Sequence, residues 1–264
     1  MALADVLFLG AVLVLAPLAT RLATSPAAPG RFAWTWRWAG YARTPAAPLL
    51  AVSFFLAPGP WAAVLAVPWL LVAGLFALGA VARLCARGLR PWSELSLDLG
   101  LLFFPVGAAW AFAYRLGIAP LGFGGQIALL TAAHFHVAGL VLLVAIGMLG
   151  RVRPVGPLVL GLAVGLPVTA IGFTASPPLE WLGAWMVAAT GLLAGILHVL
   201  EGRRSPLFAV AGLAMIVAMA LAAVYAYARW PSIPVMVATH AVLNVVGFGA
   251  CAMVGWTRER PADP

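Results

Sequence analysis

Apolar stretches recur along the whole chain, separated by short segments rich in Arg, Pro and Gly. Each stretch is about 20 residues long, the length at which a helix crosses the roughly 30 Å hydrocarbon core of a bilayer. Lipid offers no hydrogen bonds to the backbone, so each stretch must satisfy its peptide groups within a helix. The short alternating segments typical of an outer-membrane β-barrel are not found. The pattern predicts an all-α, polytopic transmembrane helix bundle.

Composition excludes a soluble protein, because only 8% of the residues are charged and 64% are hydrophobic, whereas soluble domains carry about 25% charged residues. The net charge of +8 comes from arginine alone, since the chain contains no lysine. Most of these arginines lie between apolar stretches, where they set membrane topology. We therefore expect the basic residues to face the lipid bilayer and not to bind nucleic acid.

Nine spans are predicted from the apolar stretches. The second is the weakest, because it is short and carries Pro45 and Pro48. Only Pro58-Gly-Pro60 separates it from the third, and merging the two lowers the count to eight. The predicted spans cover residues 2–20, 40–57, 61–83, 93–114, 126–149, 155–174, 179–200, 206–228 and 234–256.

Arginine positions orient this bundle. With the N-terminus outside and nine spans, all arginines except Arg115 and Arg229 fall on the inner side, as the positive-inside rule requires. The sequence thus predicts a multi-pass protein of the bacterial cytoplasmic membrane with a cytoplasmic C-terminus. It predicts one transmembrane domain, residues 1–256, followed by a short tail, residues 257–264. We expect residues 2–19 to form a retained first helix and not a signal peptide.

Tryptophans near the predicted span ends indicate an aromatic belt at the membrane interface. Trp34, Trp36 and Trp38 alternate with other residues in the predicted first inner connection, next to Arg37. Trp256 lies near the end of the last span. We interpret all of them as interfacial residues.

Two of the four histidines, His134 and His136, lie inside the fifth apolar stretch. A polar side chain in hydrocarbon costs a few kcal/mol unless it is satisfied, so such residues indicate a functional site. His240 and Asn244 lie one helical turn apart in the last span. His134 and His240 are predicted at similar depths, roughly 12 and 9 Å below the outer surface. We expect these four residues to form a catalytic or binding site in the outer half of the membrane, although interhelical hydrogen bonding alone also explains them.

The spacing of His134 and His136 argues against a shared metal ion, because residues two apart on a helix point about 200° away from each other. Thr131, one turn before His134, is expected to hydrogen-bond it and fix its tautomer. Asp98 is expected to pair with His198 or to relay protons. It is one of four further residues that are predicted to bind the substrate or to support the site. They are Thr239, Tyr225, Arg115 and Asp98.

The block Thr131-Ala-Ala-His-Phe-His-Val-Ala-Gly139, followed by Ala238-Thr-His-Ala-Val-Leu-Asn-Val-Val-Gly-Phe-Gly249, resembles the YndJ-like family of multispanning bacterial membrane proteins. The resemblance covers roughly the second half of the chain. It implies membrane placement and the two histidine motifs, and it implies no particular activity.

A second, local resemblance connects Ala133-His-Phe-His136 to the haem-ligating helix of haem-copper oxidase subunit one. The adjacent His-His pair and the His-Pro-Glu segment of that family are missing here. The resemblance implies at most simple b-type haem ligation.

Three functions follow from these residues. The first is a membrane-embedded enzyme that performs acid–base chemistry, such as isomerisation, cyclisation or epoxide opening, on a lipophilic small molecule. The second is a transporter that uses the same histidines as a proton or substrate site, and the third is a b-type haem protein. The sequence lacks HExxH, CxxC, GxxxxGK[ST], GxGxxG and GxSxG motifs, so we predict neither a metal nor a cofactor. The oligomeric state stays open.

Overall fold

The computed structural model describes residues 1–25 and 32–259, and within those ranges the chain is helical and contains no strand. The predicted all-α transmembrane fold is confirmed. The described residues form nine long helices: α1 Leu3–Ala23, α2 Ala33–Ser53, α3 Pro60–Arg87, α4 Trp92–Leu116, α5 Gly125–Leu149, α6 Gly156–Ala175, α7 Pro177–Arg203, α8 Pro206–Ala228 and α9 Ile233–Arg258.

Eight of these helices are long and apolar enough to cross a membrane, and α2 is the exception. At 21 residues, however, α2 is about 31 Å long. Near its start, the Trp36 indole donates to the carbonyl of Phe76 on α3 (3.0 Å), and at its end the carbonyl of Ser53 accepts from Arg115 on α4 (2.7 Å). The helix therefore runs alongside its neighbours over a length close to a membrane thickness, and its role as a ninth span stays a prediction.

The boundaries of α2 correct the prediction. This helix begins at Ala33 and not at residue 40, so the tryptophan-rich segment predicted as a connection is helical. Its pattern is amphipathic, because Trp34 and Trp38 are exposed whereas Trp36 is buried against α3. Trp36 is thus a packing residue and not part of an interfacial belt. Helices α2 and α3 are separate, with the break at residues 54–59.

Cα packing divides the chain into two compact units, Met1–Val144 and Ala145–Pro264. The first contains α1 to α4 and most of α5, and the second contains α6 to α9. The prediction of a single transmembrane domain stays a prediction, as does the side of the membrane on which each terminus lies. The predicted tail begins inside α9, which extends to Arg258, and residues 260–264 lie outside the described residues.

Three helices contain π-helical stretches, in which the backbone is wound more widely than in an α-helix. These stretches are Ala11–Leu15 in α1, Phe135–Leu142 in α5, and the pair Val237–Ala241 and Leu243–Ala250 in α9. Those of α5 and α9 contain or adjoin the histidines selected from the sequence. π-Helical turns occur frequently at functional sites.

Helices α6 and α7 in the second unit approach each other through glycines, as small residues allow in membrane bundles. A Cβ atom on Gly183 would lie 2.3 Å from the backbone nitrogen of Thr169. One on Gly172 would lie 2.2 Å from the backbone nitrogen of Glu180. Since backbone atoms cannot move aside as a flexible side chain does, these two glycines set the distance between the helices.

We therefore expect Gly183→Ala to destabilise the protein by about 1–3 kcal/mol, the usual cost of overpacking. Thermal unfolding in detergent measures the effect. Gly74→Ala on α3 is the matched control, because a Cβ atom there meets nothing within 4 Å. Equal unfolding temperatures for the two variants would show that α6 and α7 do not pack as closely as described.

Candidate functional site

The four histidines fall into two groups by burial. His136 and His198 are both 0% exposed, whereas His134 is exposed and His240 is half-buried. This difference matters because an enclosed imidazole must satisfy its nitrogens within the protein. The two groups therefore have different chemical possibilities.

His136 is enclosed by aromatic side chains and bonded at both nitrogens. Its Nδ1 lies 2.8 Å from the carbonyl oxygen of Ala132, and its Nε2 lies 3.0 Å from the indole nitrogen of Trp69 on α3. The carbonyl can only accept and the indole N–H can only donate, so the ring is the neutral Nδ1–H tautomer. Phe8 and Phe104 meet the ring edge-on, with centroids 5.1 and 5.4 Å away. Neither nitrogen is left for a ligand in this arrangement.

His198 in the second unit has the same surroundings. Its Nδ1 bonds to the carbonyl of Ala194 (2.8 Å), and the indole of Trp256 donates to its Nε2 (3.3 Å). The rings of Phe208 and Phe248 lie 6.1 and 5.4 Å from it. Trp256 is buried, so the prediction that it belongs to an interfacial belt is wrong.

His134 lies on the exposed part of α5. Its Nδ1 is 2.7 Å from the carbonyl oxygen of Leu130, so Nδ1 carries a proton and donates it to that oxygen. The Thr131 hydroxyl donates to the carbonyl of Ile127 at 2.8 Å. The tautomer of His134 is thus set by its own helix backbone and not, as predicted, by Thr131.

His240 and Asn244 form a direct pair on α9, as their spacing predicts. The Nδ1–H of His240 donates to the carbonyl of Ala218 on α8 at 2.8 Å, which leaves the lone pair on Nε2. The side-chain amide nitrogen of Asn244 is 3.2 Å from that Nε2 and 2.8 Å from the carbonyl oxygen of His240. The imidazole is therefore fixed in one tautomer, and an amide adjoins its basic nitrogen. The hydroxyl of Thr239 donates to the carbonyl of Val235 at 2.7 Å.

Tyr225 lies about two turns further along α8 than Ala218, roughly 10 Å away. The guanidinium carbon of Arg229 lies 5.9 Å from the Tyr225 ring centroid, and this arginine donates to Glu180 at 2.9 Å. The hydrogen bond to the Glu180 carboxylate raises the pKa of Arg229 above its ordinary value. Tyr225 therefore belongs to a cluster at the ends of α7 and α8.

Asp98 and Arg115 lie at opposite ends of α4, about 25 Å apart at 1.5 Å per residue, and so serve different clusters. Asp98 forms ion pairs with Arg83 and Arg87 on α3. Arg115 donates to the carbonyls of Ser53 (2.7 Å) and Leu56 (2.6 Å). It thereby caps the C-terminal end of α2.

The structure thus brings together one pair of the residues predicted to be catalytic, His240 with Asn244 in the second unit. That these two share a site with His134 and His136 stays a prediction. Within residues 1–25 and 32–259, no three His, Cys, Asp or Glu side chains form a group that could hold a metal ion. The Arg83–Asp98–Arg87 cluster and the His198–Trp256 pair were not predicted. The opposite charges on the two sides of the short α3–α4 connection are a signal that could have indicated the Arg83–Asp98–Arg87 cluster.

Comparison with known proteins places the chain among its relatives. The sequence profile of the YndJ-like protein family matches residues 5–248. The chain is 26% identical over 211 residues to the uncharacterized membrane protein YndJ of Bacillus subtilis (strain 168), an alignment that covers 74% of this chain and 39% of that protein. It thus spans about two fifths of the length of that relative. No solved structure is significantly similar to it. Because the family profile matches most of this helical membrane protein, the chain belongs to the YndJ-like family of membrane proteins.

Proposed function

We propose that this protein is a membrane-embedded enzyme of the bacterial cytoplasmic membrane that performs acid–base chemistry on a lipophilic small molecule. His240 is the acid–base group in this proposal, and Asn244 orients the substrate. Isomerisation, cyclisation and epoxide opening all belong to this class of reaction.

The observation that carries the proposal is the fixed imidazole–amide pair. A general base works best when a second group holds its other nitrogen in place, and the carbonyl of Ala218 does this for Nδ1 of His240. The basic Nε2 adjoins the Asn244 amide (3.2 Å). His240 is half-buried, so its ring is not enclosed as those of His136 and His198 are.

An isomerisation at this pair needs no co-reactant. Nε2 of His240 removes a proton from one carbon of the substrate, and the C–H electron pair shifts the neighbouring double bond. The imidazolium then returns the proton from Nε2 to a second carbon, so atoms and charge balance. The substrate displaces the Asn244 amide hydrogen from Nε2, and the amide becomes available to a substrate oxygen.

The other histidines have different roles in this proposal. His136 is a packing residue, because both its nitrogens bond to protein groups. For the same reason it does not fit iron ligation, and we do not propose haem binding. His134, which lies on the exposed part of α5 and is held through Nδ1 by the Leu130 carbonyl, is the second candidate for an acid–base group.

Solvent deuterium provides a test that requires no known substrate. Proteoliposomes made with a bacterial lipid extract are incubated in D₂O and returned to H₂O, and untargeted mass spectrometry then detects carbon-bound deuterium. We expect the wild-type protein to label one lipid species. His240→Gln should lower the labelling rate at least about 100-fold, the usual contribution of a general acid–base group. Asn244→Ala should lower it about tenfold or more, because one orienting hydrogen bond is lost.

Cys251→Ser is the control for a substitution on α9, because Cys251 lies almost two turns beyond Asn244. Labelling that persists in His240→Gln would refute the assignment of this residue. A His240-dependent proton flux into pyranine-loaded proteoliposomes, with no labelled lipid, would contradict the proposed enzyme and would support a transporter.

A further inference from the structure

A buried ion cluster lies at the end of the first unit where α3 ends and α4 begins. At its centre is Asp98, whose side chain is 0% exposed. One carboxylate oxygen accepts from Nε of Arg83 at 2.6 Å, and the other accepts from Nη2 of Arg87. A single carboxylate is therefore shared between two guanidinium groups.

Because Asp98 is shared, each guanidinium donates to it from only one of the two neighbouring N–H groups that could bind a carboxylate together. The Nε–H and one Nη–H of an arginine lie side by side and match two oxygens of a carboxylate or phosphate. Arg83 uses Nε for Asp98, whereas Arg87 uses Nη2. The donors that remain, Nη2 of Arg83 and Nε of Arg87, are buried and have no hydrogen-bond partner among residues 1–25 and 32–259.

The other contacts of Arg83 hold its guanidinium in place. Nη1 donates to the carbonyl of Ala23 at 3.0 Å and lies 3.5 Å from the Glu94 carboxylate. The Trp36 ring faces the guanidinium carbon at 4.7 Å. The unpartnered donor therefore cannot rotate towards water without breaking these contacts. A buried charged donor without an acceptor is costly, so an acceptor oxygen is expected at this position.

Donor chemistry and access favour an anion, because the two unpartnered groups are N–H donors of guanidinium cations. Asp98 pairs with both Arg83 and Arg87, and Glu94 lies within ion-pair distance of Arg83. Arg90 contributes its backbone carbonyl, which accepts from Arg87 at 2.8 Å, whereas its guanidinium lies over the Trp92 ring, 4.4 Å from the centroid. The Arg87 side chain is 21% exposed and that of Glu94 is 19% exposed, so the cluster reaches the surface of the chain.

We propose that Arg83 and Arg87 bind a phosphate group beside Asp98, with phosphate oxygens accepting from Nη2 of Arg83 and Nε of Arg87. A phosphate group presents several acceptor oxygens and can therefore accept one hydrogen bond from each of the two guanidinium groups. A phospholipid headgroup and a soluble phosphate share this chemistry. The site is built only from first-unit residues and is independent of the reaction proposed at His240.

Two experiments, each with a different ligand, distinguish a soluble phosphate from a phospholipid headgroup. Inorganic phosphate is titrated into the detergent-purified protein while thermal unfolding is followed, and native mass spectrometry measures retention of phosphatidylglycerol against diacylglycerol, which has no phosphate group. A rise in unfolding temperature with phosphate indicates a site open to soluble phosphate. Selective retention of phosphatidylglycerol indicates a headgroup site. If the wild-type protein shows neither, the proposal is overturned.

Arg87→Lys and Arg90→Lys form a matched pair, because both keep the charge and both remove a guanidinium. Arg87→Lys can still pair with Asp98 but lacks Nε, so it should bind the ligand about tenfold or more weakly than the wild type. Arg90→Lys should bind as the wild type does. Arg83→Lys provides a second variant should Arg87→Lys not fold. Wild-type affinity in a folded Arg87→Lys or Arg83→Lys protein would overturn the proposal.

Discussion

Asp98→Ala is expected to lower the free energy of unfolding by about 3–5 kcal/mol, the cost of removing one partner from a buried ion pair. The carboxylate is fully enclosed and serves both Arg83 and Arg87. Without it, the buried Arg83 guanidinium loses the carboxylate nearest to it, and Arg87 loses its ion pair. The loss should appear as a lower midpoint in a detergent titration with dodecyl sulfate, followed by tryptophan fluorescence.

Glu94→Ala is the matched control for Asp98→Ala, because it also removes one carboxylate from α4. Glu94 lies 3.5 Å from Arg83 and is 19% exposed, so its removal should cost at most about 1 kcal/mol. Replacing Asp98, Arg83 and Arg87 together by Leu, Met and Met should recover much of the loss, because an apolar cluster of similar volume needs no charge compensation. Equal midpoints for Asp98→Ala and Glu94→Ala would contradict the central position of Asp98.

His136→Ala is expected to destabilise the protein by about 3–5 kcal/mol, through a cavity and through the loss of the acceptor for a buried indole N–H. The cavity would lie between Phe8 and Phe104, which both contact the ring. His134→Ala, two residues away on the exposed part of α5, should change stability by no more than about 0.5 kcal/mol. The same unfolding titration compares the two variants.

A double-mutant cycle isolates the His136–Trp69 bond. Trp69→Phe removes the indole N–H, so the loss caused by His136→Ala should be smaller in that background, with a coupling energy of about 0.5–3 kcal/mol. Additive effects of the two substitutions would mean that the bond contributes nothing to folding. His198→Ala and Trp256→Phe form the equivalent pair in the second unit.

Local spacing made part of this structure predictable from sequence. The length of each apolar stretch indicated the helices, because the bilayer dictates their length. The His240–Asn244 pair followed from its one-turn spacing on a single helix. The start of α2 was missed because Trp34 and Trp38 have the composition of an interfacial connection, whereas the burial of Trp36 against α3 continues the helix.

Contacts between segments that are distant in sequence could not be predicted from local spacing. The indoles that bond to His136 and His198 come from residues 67 and 58 positions away. No periodicity indicates which tryptophan reaches which histidine. For that reason the sequence could not separate the enclosed packing histidines, His136 and His198, from the exposed His134 and the half-buried His240. The ion pairs of Asp98 are closer in sequence, since Arg83 and Arg87 lie 15 and 11 positions before it across one connection.

The most direct test of His240 as the acid–base group compares four histidine variants in the deuterium-labelling experiment, each rate divided by the folded fraction of protein. We expect His240→Gln to lose labelling at least about 100-fold. His136→Gln and His198→Gln should label at the wild-type rate per folded molecule, because their rings serve packing. His134→Gln measures the contribution of the second candidate. Labelling at the wild-type rate by His240→Gln would contradict the proposed site. A loss of labelling that occurs only in folded His136→Gln or His198→Gln would contradict it as well.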